Sequence, residues 1–346
     1  MSRVLPLRRE VSRGGGRNDA ATRNGAMRAG CVTTAPVALL EALRALTAFA
    51  PPETLPPCDL EELADVLDAH GLAPLASYQI ETRRIGASVP EWFRERLLPL
   101  YQGVVNDNVF KLLTLKGALR SADVPVVLLE GAAYVDWIYP HLAFRPVGQI
   151  RLAVRGSDGA RFAERVAVEG FGEARAGPGG HTATFDDGRI ELRIQEGLIA
   201  GRPEDHGLFE RRQPFPAIGR AAARPSAEDA LLVTVADLAL AGLHAPLTAF
   251  VDLRELLELP EFADVSRLTA IRERAVQAGL ARALHGSCAL VSHFFPSASG
   301  RAGALSPVLG RTERAVVEGL VETAKDPARL RLLRGAEAAA KLIVAP

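Results

Sequence analysis

The chain has 346 residues, 48% hydrophobic and 24% charged, enough for one large or two ordinary domains and too much for a small stapled scaffold. Lysine plus arginine equals aspartate plus glutamate, so no global field draws the chain to nucleic acid, and no run of about 18 apolar residues without a charge marks a membrane span. Cys31, Cys58 and Cys288 are too few and too scattered for a disulfide framework and form no CxxC pair, which fits a reducing, cytoplasmic compartment.

Residues 1–34 carry seven arginines from Arg3 to Arg28, a glycine run from Gly14 to Gly16 and almost no periodic apolar residues. The segment reads as disordered, and the composition shift leaves open whether translation starts at Met1 or at Met27. Arginine greatly outnumbers lysine, which occurs only at Lys111, Lys116, Lys325 and Lys341, and alanine is abundant. This is the bias of a high-GC bacterial genome.

A helical region is expected over residues 35–122. Val37, Leu39, Leu40, Leu43, Leu46 and Phe49 fall at helical spacing before Pro51 and Pro52 stop the run. Asp59, with Glu62 three residues on, caps a second helix that ends near Gly71, and further helices run from Pro90 to about Ser121. The pattern then changes, and residues 123–222 read as an α/β core. Val124 to Leu129 is a short, valine-rich buried strand, Gly131 to Tyr139 a short helix, Gln149 to Val154 an alternating strand and Asp158 to Glu169 a helix. His181–Phe185 and Arg189–Gln195 flank Asp187-Gly188, which suits a type I′ hairpin turn. These strands imply a mixed sheet with helices on one side. After a Pro- and Arg-rich connection, residues 223–346 are expected to be all helical. Ser226 and Asp229 open the first helix, others cover 247–259, 265–279, 281–294 and 313–344, and 296–307 is a loop. The fold class is therefore α+β.

The segment Val124 to Val154, VPVVLLEGAAYVDWIYPHLAFRPVGQIRLAV, carries the functional signal. It resembles a bacterial nucleotidyltransferase-like family within the polymerase-β-like superfamily, whose members show an "LKG" turn, a helix ending in "YP" and then "R…GDIDLLV". The matching residues are Leu129-Glu130-Gly131, Tyr139-Pro140, Arg145-Pro146 and Gly148-Gln149-Ile150-Arg151-Leu152. Downstream, Ile190-Glu191-Leu192-Arg193 falls where the family has "VDLHW", the Pro225 to Leu232 segment resembles "SPEDLLL", and Phe250-Val251-Asp252-Leu253 resembles "LLDL". The ordered set spans roughly residues 35 to 295.

The resemblance implies a small mixed nucleotidyltransferase-like sheet between an N-terminal helical layer and a C-terminal helical region. It also implies a catalytic strand with two aspartates at i and i+2, leaving one face, and a third carboxylate on a neighbouring strand, together holding two divalent cations. Here those positions read Gln149, Arg151 and Glu191, so three formal negative charges have become zero. Glu130 stands where the family has lysine, and Glu130 or Glu191 is expected to pair with Arg151, the guanidinium filling the place of the metal. Glu130, Gly131, Arg145 and Gly148 are the candidate ligand-binding residues, in a cleft between residues 131–151 and the helical second half.

The leading expectation is a catalytically degenerate protein with no cofactor, binding a protein partner or a small-molecule ligand, with no membrane or nucleic-acid partner. The alternative is an active enzyme that takes Mg²⁺ and a nucleoside triphosphate and uses Glu191 with a recruited acid, for which Asp136, Asp158, Asp186 and Asp187 are candidates. The contexts in which such family members occur add a third reading, an accessory modifying factor of a biosynthetic gene cluster. Other motifs are weaker. Gly131-Ala132 occupies the family's phosphate-positioning "G[GS]" turn but lacks its serine, and Gly177 to Gly180 has no Lys-Ser/Thr after it. The seven histidines form no HExxH pair, and Cys288 reads as a buried small side chain.

Overall fold

Alternation and capping place the elements where the sequence directs them, in a computed structural model that describes residues 36–177, 180–186, 188–199 and 207–326, with 340 and 343. The basic segment 1–34, Asp187 of the hairpin turn and the helix expected beyond residue 326 lie outside the described residues, apart from 340 and 343. Four helices come first: α1 (Pro36–Thr47), α2 (Leu60–Ala69), α3 (Ala73–Thr82) and α4 (Glu91–Ala118). The Asp59 side chain accepts from the Glu61 and Glu62 amides at 2.9 and 3.2 Å, satisfying two orphan donors at the start of α2. The periodicity does not reveal α3, because residues on every side of it are buried, Leu75, Ala76, Ser77, Gln79 and Ile80 among them, and leave no apolar stripe to read.

The centre of the chain supplies β1 (Val126–Leu129), α5 (Gly131–Tyr134), β2 (Ile150–Val154), α6 (Gly159–Val168), β3 (Arg175–Gly177), β4 (Gly180–Phe185), β5 (Ile190–Glu196), α7 (Leu208–Arg211), β6 (Gln213–Pro214) and β7 (Ala222–Arg224). The strands form one mixed sheet in the order β3-β4-β5-β2-β1-β7-β6. β2 runs antiparallel to β1 and parallel to β5, and β4 and β5 form the expected antiparallel pair. The strands β3, β6 and β7, each three residues or fewer, are too short for alternation to register, so the expected connection hides part of the sheet. A second departure is at β2. The sequence predicts a strand polar on one face, yet every residue from Ile150 to Val154 is buried, Arg151 included, because the sheet is covered on both sides at its centre.

The remainder is helical: α8 (Ala227–Leu240), α9 (Leu247–Leu257), α10 (Val265–Gln277), α11 (Ala281–Phe294), α12 (Ser299–Leu305) and α13 (Arg311–Ala324). Ser226 caps α8, accepting from the Asp229 amide at 3.2 Å. The expected loop 296–307 instead contains α12, whose Ala302 and Leu305 bury against the bundle; tertiary packing overrides the loop-like serines and glycines. No described helix is long and apolar enough to cross a membrane.

One buried amide on α4 fixes the entry to the central strand. Asn108 donates to the carbonyls of Leu142 and Arg145 at 2.5 and 2.9 Å and accepts from the Val147 amide at 2.9 Å, while Lys111 donates to the Val147 carbonyl at 2.6 Å. Asn108→Ala strands several buried backbone groups, and urea denaturation should show a loss of about 2–4 kcal/mol with an unchanged slope.

Candidate functional site

β1 ends in a turn that ordinary side chains avoid. Glu130 has φ 54° and ψ −146°, a conformation that costs on the order of 1–3 kcal/mol outside glycine. The following residue, Gly131, is buried against Arg145: a Cβ there would lie 3.3 Å from the guanidinium carbon. The turn therefore aims the Glu130 carboxylate at the middle of β2, where Arg151 stands opposite Leu129.

Arg151 donates to Glu130 and, at 2.5 Å, to Asp237 on α8, and its Nε donates to Gln195 on β5 at 3.1 Å. Gln195 is fully buried and is itself oriented by donating to the carbonyls of Gly197 and Leu198 at 3.2 and 3.1 Å. Burial alone would lower the Arg151 guanidinium's affinity for its proton, but Asp237 and Glu130 outweigh it and raise that affinity. Asp237 is raised well above the ordinary aspartate value, first by burial and then by Glu130. Glu130, which burial would raise, is instead lowered by the hydrogen bond with Asp237 and by Arg151 and Arg145. The Oδ2 of Asp237 is buried and receives no donor, which favours the protonated carboxyl beside Glu130. Over the range where Asp237 keeps that proton the cluster is neutral, one guanidinium against one carboxylate.

A second buried cluster lies beside the first. Arg145 donates through Nε to both oxygens of Asp252 on α9, at 3.2 and 3.0 Å, and Tyr139 donates to the same carboxylate at 2.6 Å. Burial opposes the Arg145 charge, but Asp252 more than compensates and raises its proton affinity. Arg145 and Gly148 border a cleft of about 260 Å³ that also meets His70, Gly71 and Thr248, between the core and α9.

The positions matched to the family's carboxylates do converge. Gln149 donates to Glu191, on the side of the sheet that carries Arg151. Glu191 is exposed and is not the partner of Arg151; of the two pairs the sequence allows, Glu130 forms and Glu191 does not. Of the proposed substitute acids, Asp187 lies outside the described residues, Asp136 is exposed, Asp158 pairs with Arg161 at 3.3 Å and Asp186 with Arg189 at 3.8 Å. Among the described residues no group of three His, Cys, Asp or Glu side chains could hold a metal ion. α5 spans only four residues and offers no helix terminus for phosphate. Burial pushes the Cys288 thiol up to about 12, as suits a packed side chain. Sequence reasoning missed Asp237 and Gln195 and, while matching Asp252 within a motif, gave it no role. A lone acid inside an apolar helix, as in LLVTVADLAL, is the signal that finds the first, because such a group needs a partner.

The family model described as an uncharacterised nucleotidyltransferase matches residues 56–296. Nothing among the curated proteins and nothing among the solved structures matches the chain.

An acid with a raised value contributes stability that is full below its ordinary value, near pH 4, and is lost as pH rises toward the raised one. Asp237→Asn carries no titrating proton and can still donate to Glu130. Urea denaturation at a series of pH values should show the variant gaining on the native chain from about pH 4 toward neutrality. A difference that stays flat would mean that Asp237 holds no proton.

Proposed function

The chain belongs to the uncharacterised nucleotidyltransferase family, and on that premise we propose that it is a catalytically degenerate member that acts as a binding or accessory protein. Residues 123–222 form its nucleotidyltransferase-like core, and the occupant of the cleft beside Arg145 and Gly148 is a protein segment or a small ligand. The composition supports a bacterial, cytoplasmic setting. The observation that carries the reading is the seating of Arg151, at the second carboxylate position of the family's strand, between Glu130 and Asp237.

The physical argument is one of competition. A divalent cation needs about six oxygen ligands and the charge of several carboxylates. Two of the nearby acids already close on a guanidinium, Asp237 is protonated over part of the pH range, and Glu191 accepts from the Gln149 amide. A cation entering this face meets a buried positive charge that cannot leave without stranding Glu130. The residues present do not fit a pair of magnesium ions, and no catalytic step is assigned to them.

Isothermal titration of the purified chain with a nucleoside triphosphate, with and without Mg²⁺, should reveal no binding component that depends on the metal. The double change Gln149→Asp and Arg151→Asp should create divalent-cation affinity if the cleft keeps its shape. Metal-dependent binding by the native chain, or nucleotide transfer that vanishes in Glu191→Gln, would favour the active enzyme instead.

A further inference from the structure

The sheet register lines up a row of cationic side chains that the buried cluster uses only at one end. Arg151 on β2 stands opposite Arg193 on β5, Arg193 opposite Thr182 on β4, and Thr182 opposite Arg175 on β3. Residues paired directly across strands leave the same face, so the three guanidiniums and the Thr182 hydroxyl project from one side. Arg151 is committed to Glu130, Asp237 and Gln195. Arg193 is half-buried and Arg175 exposed, and among the described residues neither makes an ion pair or a side-chain hydrogen bond.

Some exposed arginines elsewhere have carboxylates, Arg84 with Glu53, Arg96 with Glu61 and Asp65, and Arg155 with Glu210, and others such as Arg83 and Arg120 have none among the described residues; what marks Arg193 and Arg175 is that the register brings them to one face on either side of Thr182. Glu191, two residues before Arg193 on the same face, is held by Gln149. A cleft of about 670 Å³ opens over the outer strands, lined by Glu173, Arg175, Thr182 and Thr184, with Arg193 on the next strand outside its lining.

Neighbouring strands lie about 4.8 Å apart, so the backbones under Arg193 and Arg175 are separated by about 10 Å with Thr182 between them. Two long side chains that carry planar forks can close on an anion seated over the threonine, each fork donating two parallel hydrogen bonds to phosphoryl oxygens. A single phosphate engages one fork fully; a diphosphate spans both.

We propose that Arg193, Thr182 and Arg175 form a metal-independent site for a phosphoryl-bearing small ligand, with a diphosphate group bridging the two guanidiniums. The site goes beyond the reading of Arg151, since it needs only that the outer strands present these side chains. Its charge balance comes from the protein and not from a cation.

The test is isothermal titration of the full chain in EDTA with inorganic pyrophosphate and, separately, orthophosphate. Pyrophosphate should bind at one site, about tenfold more tightly than orthophosphate. Arg193→Gln and Arg175→Gln should each weaken it by about tenfold or more, the loss expected for a charge-assisted fork, and Arg193→Lys should lose less. Arg161→Gln, at an exposed arginine already paired with Asp158, should leave affinity unchanged and controls for net charge. No pyrophosphate binding, losses no larger than that control, or tighter binding of a single-stranded oligonucleotide would overturn the proposal while leaving the seating of Arg151 untouched. Binding that appears only when Mg²⁺ replaces EDTA would contradict both.

Discussion

The Arg151 guanidinium is where the fold and its chemistry meet. It is carried by the central strand, opposed by a strained turn, faced by an acid inside the apolar run of α8 and steadied by a fully buried glutamine. A buried charge costs several kcal/mol unless it is paired and hydrogen-bonded, so each of these groups answers the demand that Arg151 creates. The strain at Glu130 belongs to the same account: a non-glycine residue at φ 54° persists because the ion pair fixes where its carboxylate must point.

Beside it, the Arg145, Asp252 and Tyr139 cluster ties the segment before β2 to α9, and Asn108 holds that segment from the other side. The two neighbouring clusters tie β2 and the segment before it to α8 and α9. Neither leaves a carboxylate pair facing open space. The guanidiniums of this face are thus engaged by buried acids, and unpaired positive charge lies further out on the sheet, on Arg193 and Arg175.

Much of this was legible in the residues. Capping at Asp59 and Ser226, the β4–β5 pair and the α+β order followed from local chemistry, as did the pairing of Arg151 with either Glu130 or Glu191, of which the fold selects Glu130. Apart from the acid inside the apolar run of α8, what escaped notice had no local signature. α3 is buried all round, β3, β6 and β7 are too short to alternate, and α12 is made by packing. Asp237 and Asp252 lie about 85 to 110 residues from their arginines in sequence, a separation that only the fold closes. Arg145, expected to meet a ligand, packs against Gly131 and pairs with Asp252 while also bordering the cleft beside α9.

The central claim, that Arg151 stands where a cation would, is tested most directly by anomalous diffraction from crystals soaked in Mn²⁺. The account predicts no anomalous peak against Glu130, Asp237 or Glu191, and continuous density for the guanidinium between the first two. A manganese peak bonded to those oxygens, with Arg151 turned away from them, would contradict it.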